Sequence, residues 1–294
     1  MISIFLTGST GFVGSYFHKL FSKKYLITNF QKGNNLIINE NFVINLAGKA
    51  HDLKQVLSSE VYYHVNTDFA KNVFDVFLSS DAKVFITLSS VKAVADEINE
   101  ELHENHKPNP ITHYGKSKLQ AEQYILSKEI PEGKRVFILR PCMIHGPGNK
   151  GNLNLLYRLV SKGIPWPLGA FENMRSFCSI DNLMFLLNEL IEREDIPSGI
   201  YNVADDEPLS TNGLIGLIAQ SQNRNPKIWN FSKKFITCVV SIGDKLHLTL
   251  NTERLQKLTS SYVVSNAKIK ASIGKPLPLS SREGLLRTFK SFNS

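Results

Sequence analysis

Cysteine is scarce: Cys142, Cys178 and Cys238 are the three in 294 residues, and they lie far apart. With an odd count and no C-x-x-C pair, neither a disulfide framework nor a zinc site is indicated, and a reducing compartment is expected. Long apolar runs are missing as well, since none reaches the roughly 18 residues that a membrane-crossing helix needs. No leader pattern stands before the first apolar stretch, so a cytoplasmic chain without membrane insertion is expected. Runs of charge are also absent. The formal charge is +8 and the pI near 9.2, yet no basic run exceeds a pair such as Lys233-Lys234. That scatter argues against a nucleic-acid partner. It leaves open a basic cleft for an anionic nucleotide and a merely solvated basic surface. At 42% hydrophobic and 20% charged residues the chain is not disordered, and its length can bury a large core shared between two lobes.

What is present is concentrated at the start. Residues 1–6 (M-I-S-I-F-L) read as a buried strand. The run Thr7-Gly8-Ser9-Thr10-Gly11-Phe12-Val13-Gly14 breaks it, and Phe12, Val13, Tyr16, Phe17, Leu20 and Phe21 then recur at helical spacing. Strand, glycine turn and helix together form a site for a dinucleotide diphosphate. Gly8 allows the tight turn, Gly11 lets a backbone approach the diphosphate, and Gly14 lets the helix lie close to the strand. The helix N-terminus turns its free N–H groups to the phosphates.

Beyond this unit, strands are expected at 25–30, 41–46, 83–88 and 135–139, with a stub at Leu36–Ile38 and a trimmed sheet edge. Helices are expected at 61–79 and 114–128. Such alternation predicts an α/β fold with a doubly wound parallel sheet. A turn-rich linker at 145–152 ends the regular part. Residues 1–150 with 176–204 read as a nucleotide-binding domain, and 151–175 with 205–294 as a smaller, mainly helical lobe. Within that lobe the apolar run Phe235–Ile242 reads as core. Where a carboxylate would hold the adenosine ribose 2′-hydroxyl, the sequence offers Asn29, Gln31 and Lys32, which favours NADP(H) over NAD(H).

Tyr114 and Lys118 stand one helical turn apart and share a face. The ammonium is expected to stabilise the phenolate and lower the phenol from its usual value of about 10. Ser90, at a strand end, can donate to a substrate oxygen. The three form a proton-transfer device for an alcohol/ketone pair oxidised or reduced by nicotinamide. His51 and His145 lie near the same cleft, where local hydrogen bonds are the simpler account of each.

With these residues the chain resembles the NAD-dependent epimerase/dehydratase family of extended short-chain dehydrogenases. The likeness runs through the glycine turn, Asn45-Leu46-Ala47-Gly48, Asn66, Ser89-Ser90, Tyr114 to Lys118, Arg140-Pro141 and Gly146-Pro147-Gly148. The resemblance implies a Rossmann-like domain with Tyr114 as acid/base, Lys118 as cofactor anchor and Ser90 as donor to the substrate. It places the cofactor against Gly8, Thr10, Gly11, Phe12, Val13, Gly14, Leu46, Ala47, Gly48, Asn66, Pro141 and Ile144. It assigns Lys92, Asn152, Pro167, Leu168, Arg175 and Arg254 to a UDP-sugar, and a homodimer through the helices at 61–79 and 114–128. Dehydratases of the family carry an Asp-Glu pair where this chain has Val91-Lys92, so dehydration is disfavoured. The likeness narrows to enzymes of UDP-N-acetylated hexosamines. The first expectation is an NADPH-dependent 4-keto reductase, and the alternative is a 4-epimerase with tightly bound NAD.

Overall fold

The computed structural model describes residues 1–49, 58–149, 151–245 and 251–292. The chain opens with β1 (Ser3–Thr7), α1 (Phe12–Phe21) and β2 (Leu26–Asn29), as the glycine turn predicts. After β3 (Phe42–Asn45) come α2 (Ser59–Tyr62), a π-helical stretch (Tyr63–Asp68) and α3 (Phe69–Ser79). β4 (Val84–Leu88), α4 (His113–Leu126) and β5 (Arg135–Pro141) follow. Next are β6 (Met143–His145), α5 (Asn152–Ser161), β7 (Phe177–Ser179), α6 (Ile180–Glu192) and β8 (Gly199–Val203). The rest is helical: α7 (Thr211–Ser221), α8 (Lys233–Lys245), α9 (Thr252–Thr259), α10 (Ala267–Ile273) and α11 (Ser281–Lys290).

Six parallel strands form the central sheet in the order β2-β1-β3-β4-β5-β8, and β6-β7 form a second, two-stranded parallel sheet. Alternate residues of each strand feed opposite faces. Ile4, Leu6, Val84, Ile86, Phe137 and Leu139 pack against α1 and α6 on one side. Phe5, Phe85, Val136 and Ile138 pack against Val73, Phe74 and Phe77 of α3 on the other. This is the doubly wound parallel sheet expected from the alternation. Because β1 pairs with both β2 and β3, the winding reverses at its C-terminal end, where open sheets of this kind receive ligands. A buried ladder locks that edge. Thr7 Oγ1 donates to Asn45 Oδ1 (2.6 Å), and Asn45 Nδ2 donates to Thr87 Oγ1 (3.1 Å).

Three expectations need correction. Leu36–Ile38 is not a strand: Ile38 is buried among the α3 side chains while Ile37 is exposed, without ladder bonding, although β2 is the trimmed edge foreseen. The helix expected over 61–79 is interrupted by the π-helical stretch. Apolar spacing records a face but not a hydrogen-bond register, and here Asn66 Nδ2 and Thr67 Oγ1 are drawn to Ser117 of α4, donating to its Oγ (3.0 Å) and its carbonyl (2.8 Å). Such bulges recur at functional sites. The run Phe235–Ile242 is core on one side only, with Ile236 and Val240 buried and Phe235, Val239 and Ile242 exposed.

Candidate active site

The glycine elbow is shaped by close approach. Gly8 has φ +71°, and a Cβ there would stand 2.5 Å from the Ala47 nitrogen; one on Gly14 would stand 2.1 Å from the Gly8 carbonyl oxygen. Only glycine fits either position. Over Gly11, by contrast, a Cβ would meet nothing nearer than the Gly8 oxygen at 3.3 Å, and both Thr10 and Gly11 are exposed. The first turn of α1, with Phe12, Val13 and Gly14, has no side-chain cap and no acidic residue. Its N–H groups are left for an anion, so these residues fit a dinucleotide diphosphate. Phe12 also meets the turn after β6, since a Cβ on Gly146 would stand 3.3 Å from its ring, and Tyr16 Oη donates to the Pro147 carbonyl (2.9 Å). Pro141 ends β5 and Ile144 lies in β6, the strand before that turn.

At the end of β3, Ala47 N donates to Thr7 Oγ1 (3.3 Å), which fixes the Leu46-Ala47-Gly48 floor. Asn66 Oδ1 accepts from Lys49 N (2.8 Å) and its Nδ2 donates to the Lys49 carbonyl (3.2 Å), so the π-helical stretch holds the rim of the floor. A Cβ on Gly48 would meet Lys118 Nζ at 3.0 Å and Asn66 Oδ1 at 3.2 Å. The floor, Asn66 and the α4 lysine therefore converge on one place.

Thr112 caps α4, accepting from Gly115 N (3.2 Å), and Asp96 Oδ1 in turn accepts from the Thr112 hydroxyl (2.9 Å). This fixes the turn carrying Tyr114. The half-buried phenol hydrogen-bonds the Ser90 hydroxyl and lies edge-on to Tyr62 at 6.2 Å between ring centres. Burial raises the phenol above its ordinary value, while the Ser90 bond lowers it. The expectation that Lys118 brings the phenol down is therefore not met by the chain on its own. Lys118 Nζ donates to the Leu88 carbonyl (2.8 Å), and burial is the largest influence on the phenol.

Lys118 itself is pushed down to about 8 by burial, with Glu122 opposing. Two trends of opposite sign follow. The buried amine accepts a proton less readily than in the unfolded chain, so the ligand-free fold gains stability as pH rises from about 8 towards the ordinary 10.5. Binding of a nicotinamide dinucleotide favours the ammonium, so affinity is full below pH about 8 and falls above it, by up to tenfold per unit. Calorimetric titration from pH 6.5 to 9.5 checks this, with Lys118→Met expected to remove the limb.

Lys92 and Arg175 face each other from two parts of the chain. Lys92 Nζ donates to the Asp96 carbonyl (2.5 Å) and sits 4.2 Å from the centre of the Tyr262 ring. Burial pushes its ammonium down and Arg175 adds to that, against Asp96 and Glu97. Arg175 bridges the backbones at Leu209 and Tyr262, and its guanidinium donates to the Ser260 carbonyl and hydroxyl (3.0 Å each). Two partly desolvated cations suit a dianionic diphosphate.

Other expected contacts are placed differently. The Leu168 side chain is buried with Trp166, Ile236 and Val240, so only its backbone can face a ligand. Asn152 is exposed at the start of α5 and Pro167 is half-buried. Arg254 lies on α9, but its side chain, like all of His51, is outside the described residues. His145 is a core residue: its Nδ1 bonds Thr288 Oγ1 (2.9 Å) and its Nε2 lies 3.5 Å from Asp205 Oδ2. Glu122 and Arg140, buried behind Lys118, were not foreseen as site residues. The spacing Lys118-x-x-x-Glu122, one turn along the same face, was the available signal.

A glycine-elbow sheet with a Ser-Tyr-Lys set at its switch point defines a short-chain, nicotinamide-dependent enzyme. The chain belongs to the NAD dependent epimerase/dehydratase family, whose model matches residues 27–204. It is 29% identical to a UDP-glucose 4-epimerase of Vibrio cholerae over 320 aligned positions, 99% of this chain and 95% of that one. It is 30% identical over 184 positions, 62% of this chain and 55% of the other, to the N-acetyl-alpha-D-glucosaminyl-diphospho-ditrans,octacis-undecaprenol 4-epimerase of Escherichia coli O157:H7. Its fold matches UDP-glucuronic acid 4-epimerase of Bacillus cereus in complex with NAD (TM-score 0.77, 15% identity, 99% of both chains). It also matches RMD of Pseudomonas aeruginosa complexed with NADPH (TM-score 0.73, 19% identity, 99% and 98%).

Proposed function

We propose that the chain interconverts the C4 epimers of a UDP-linked hexose or N-acetylhexosamine. The observation that carries this reading is the Ser90–Tyr114 hydrogen bond with the Lys118 ammonium one helical turn behind it. Tyr114 takes the proton of the 4-hydroxyl and later returns it, while Ser90 exchanges its bond to the phenol for one to the substrate oxygen. Lys118 holds the cofactor ribose, the α1 elbow and the floor at 46–48 with Asn66 hold the dinucleotide, and Lys92 with Arg175 holds the substrate diphosphate. The nicotinamide, when bound, supplies the two-electron acceptor and donor. By name both relatives from V. cholerae and E. coli are 4-epimerases, which supports epimerisation ahead of the 4-keto reduction ranked first from sequence alone. Asn29 supports NAD(H) too, because its buried Oδ1 has no partner among the described residues and suits a ribose hydroxyl donor. The E. coli relative's name puts the same inversion on a polyprenyl diphosphate, and the diphosphate is the unit Lys92 and Arg175 would read in either case.

The second reading remains a UDP-4-keto-6-deoxy-N-acetylhexosamine reductase using NADPH, favoured by exposed Lys32 beyond β2 and the lack of a carboxylate there. Nucleotide analysis of the purified protein and turnover of UDP-N-acetylglucosamine or UDP-glucose without added cofactor separate the two. Retained NAD and a mixture of C4 epimers are expected. Turnover only of a 4-keto sugar, with stoichiometric loss of NADPH, would overturn the epimerase. Part of the same reading is the division into a nucleotide-binding domain and a substrate lobe of residues 151–175 with 205–294. A homodimer through the helices at 61–79 and 114–128 is also part of it. Tyr124 Oη to Asp75 Oδ1 (2.7 Å) and Tyr63 Oη to His113 Nδ1 (3.2 Å) join the helices into one face, and light scattering tests the dimer.

A further inference from the structure

Helix α8 has two apolar faces where a surface helix ordinarily has one. Ile236 and Val240 point inward against Trp166 and Leu168. Phe235, Val239 and Ile242, spaced i, i+4, i+7, form a second stripe and are 54%, 39% and 51% exposed. The stripe continues off the helix through a chain of rings, Phe235 to Phe231 at 5.6 Å and Phe231 to Trp229 at 5.8 Å, both of the latter side chains also exposed. Charge around it is one-sided. Residues 224–245 hold five Lys and Arg and one Asp, a net +4 out of the formal +8. Arg224, Lys227, Lys233 and Lys234 are all exposed.

The geometry points to this face as a docking site for an anionic lipid surface. Trp and Phe beside aliphatic side chains, with lysines along the polar flank, are the composition of a helix lying in a headgroup layer. A second copy of the chain is the poorer occupant. The 13-residue helix is roughly 20 Å long, so a stripe about 10 Å wide covers about 200 Å² against the ~800 Å² per partner of a stable interface. A two-fold contact through this face would also set the lysines of both copies against each other. No helix among the described residues is long and apolar enough to cross a membrane, so the face rests on the bilayer and does not span it. This adds a surface partner to a chain whose sequence predicts no membrane insertion.

The docked face adjoins the candidate substrate lobe. The segment that leads into α8 meets the loop at 166–168 through two isolated bridges, Trp166 to Ile228 and Leu168 to Asn230. A bilayer on α8 therefore lies one layer from the wall at Pro167. The inference does not depend on which sugar or carrier the site takes.

Vesicle flotation tests it. The full chain is expected to partition onto phosphatidylglycerol-containing vesicles at least about tenfold better than onto phosphatidylcholine alone, and to lose most of that binding at high salt. Phe235→Ser/Val239→Ser/Ile242→Ser is expected to lose about tenfold in partitioning with turnover of a UDP-sugar unchanged. As an independent readout, an environment-sensitive dye on Cys238, the only exposed cysteine, should brighten and shift to the blue on anionic vesicles. Failure of the wild-type chain to bind anionic vesicles, or equal binding by the triple variant, would overturn the proposal. So would light scattering in which the triple substitution dissolves a dimer, because the face would then join two copies.

Discussion

Tyr114→Phe is expected to lower kcat by about 10³-fold while nicotinamide-dinucleotide affinity stays within about threefold. In the proposed reaction the phenol moves the proton at the reacting oxygen, and its hydrogen bond places it beside Ser90. Its removal should spare the fold. The ring keeps its edge-on packing against Tyr62, and Ser90, on losing the phenol, still accepts from Lys92 N (3.2 Å). Ser90→Ala makes a companion test. Its hydrogen bond lowers the half-buried phenol, so without it the phenol rises further. The rising limb of the alcohol-oxidation rate should move to higher pH. Single-turnover kinetics across pH, alongside cofactor titrations, check both variants. A Tyr114→Phe protein with wild-type kcat would remove the acid/base assignment.

Much of this arrangement is legible in the chain because it is local. Gly8, Gly11 and Gly14 sit in one turn between a strand and a helix, and Tyr114 and Lys118 on one turn of α4. The parallel, doubly wound character of the sheet follows from strands that alternate with helices. What the sequence hides is pairing over distance. The Thr7–Asn45–Thr87 ladder joins residues about forty apart on three strands, each of them an ordinary polar residue in a strand. The π-helical stretch depends on Ser117, fifty-one residues beyond Asn66. Arg175 and Lys92 meet through Tyr262, which no motif marks. α8 misleads for another reason. Its apolar residues cover two adjoining faces, so periodicity cannot separate a face turned to the core from one turned outward.

Arg140→Met is expected to cost about 3–5 kcal/mol, since it strands a buried carboxylate. Glu122 and Arg140 are almost wholly enclosed, with side chains 2% and 3% exposed. Arg140 Nη2 to Glu122 Oε2 (2.5 Å) and Nε to Oε1 (3.0 Å) make a two-pronged pair, and Ser89 Oγ donates to the same Oε1. In a chain of 294 residues the loss corresponds to a drop in Tm of roughly 5–8 °C by calorimetry. The double variant Glu122→Leu/Arg140→Met removes both charges and should recover most of that stability, because the cost of the single change is an unpaired ion more than a lost attraction. It should not restore the wild-type pH response. Glu122 holds the Lys118 ammonium up against burial, so without it the amine falls below its value of about 8. The limb on which cofactor affinity declines should then begin at lower pH. Near-wild-type Tm in Arg140→Met, or an unmoved affinity limb in the double variant, would show that the pair neither secures the α4–β5 contact nor sets the charge of the lysine beside the candidate cofactor site.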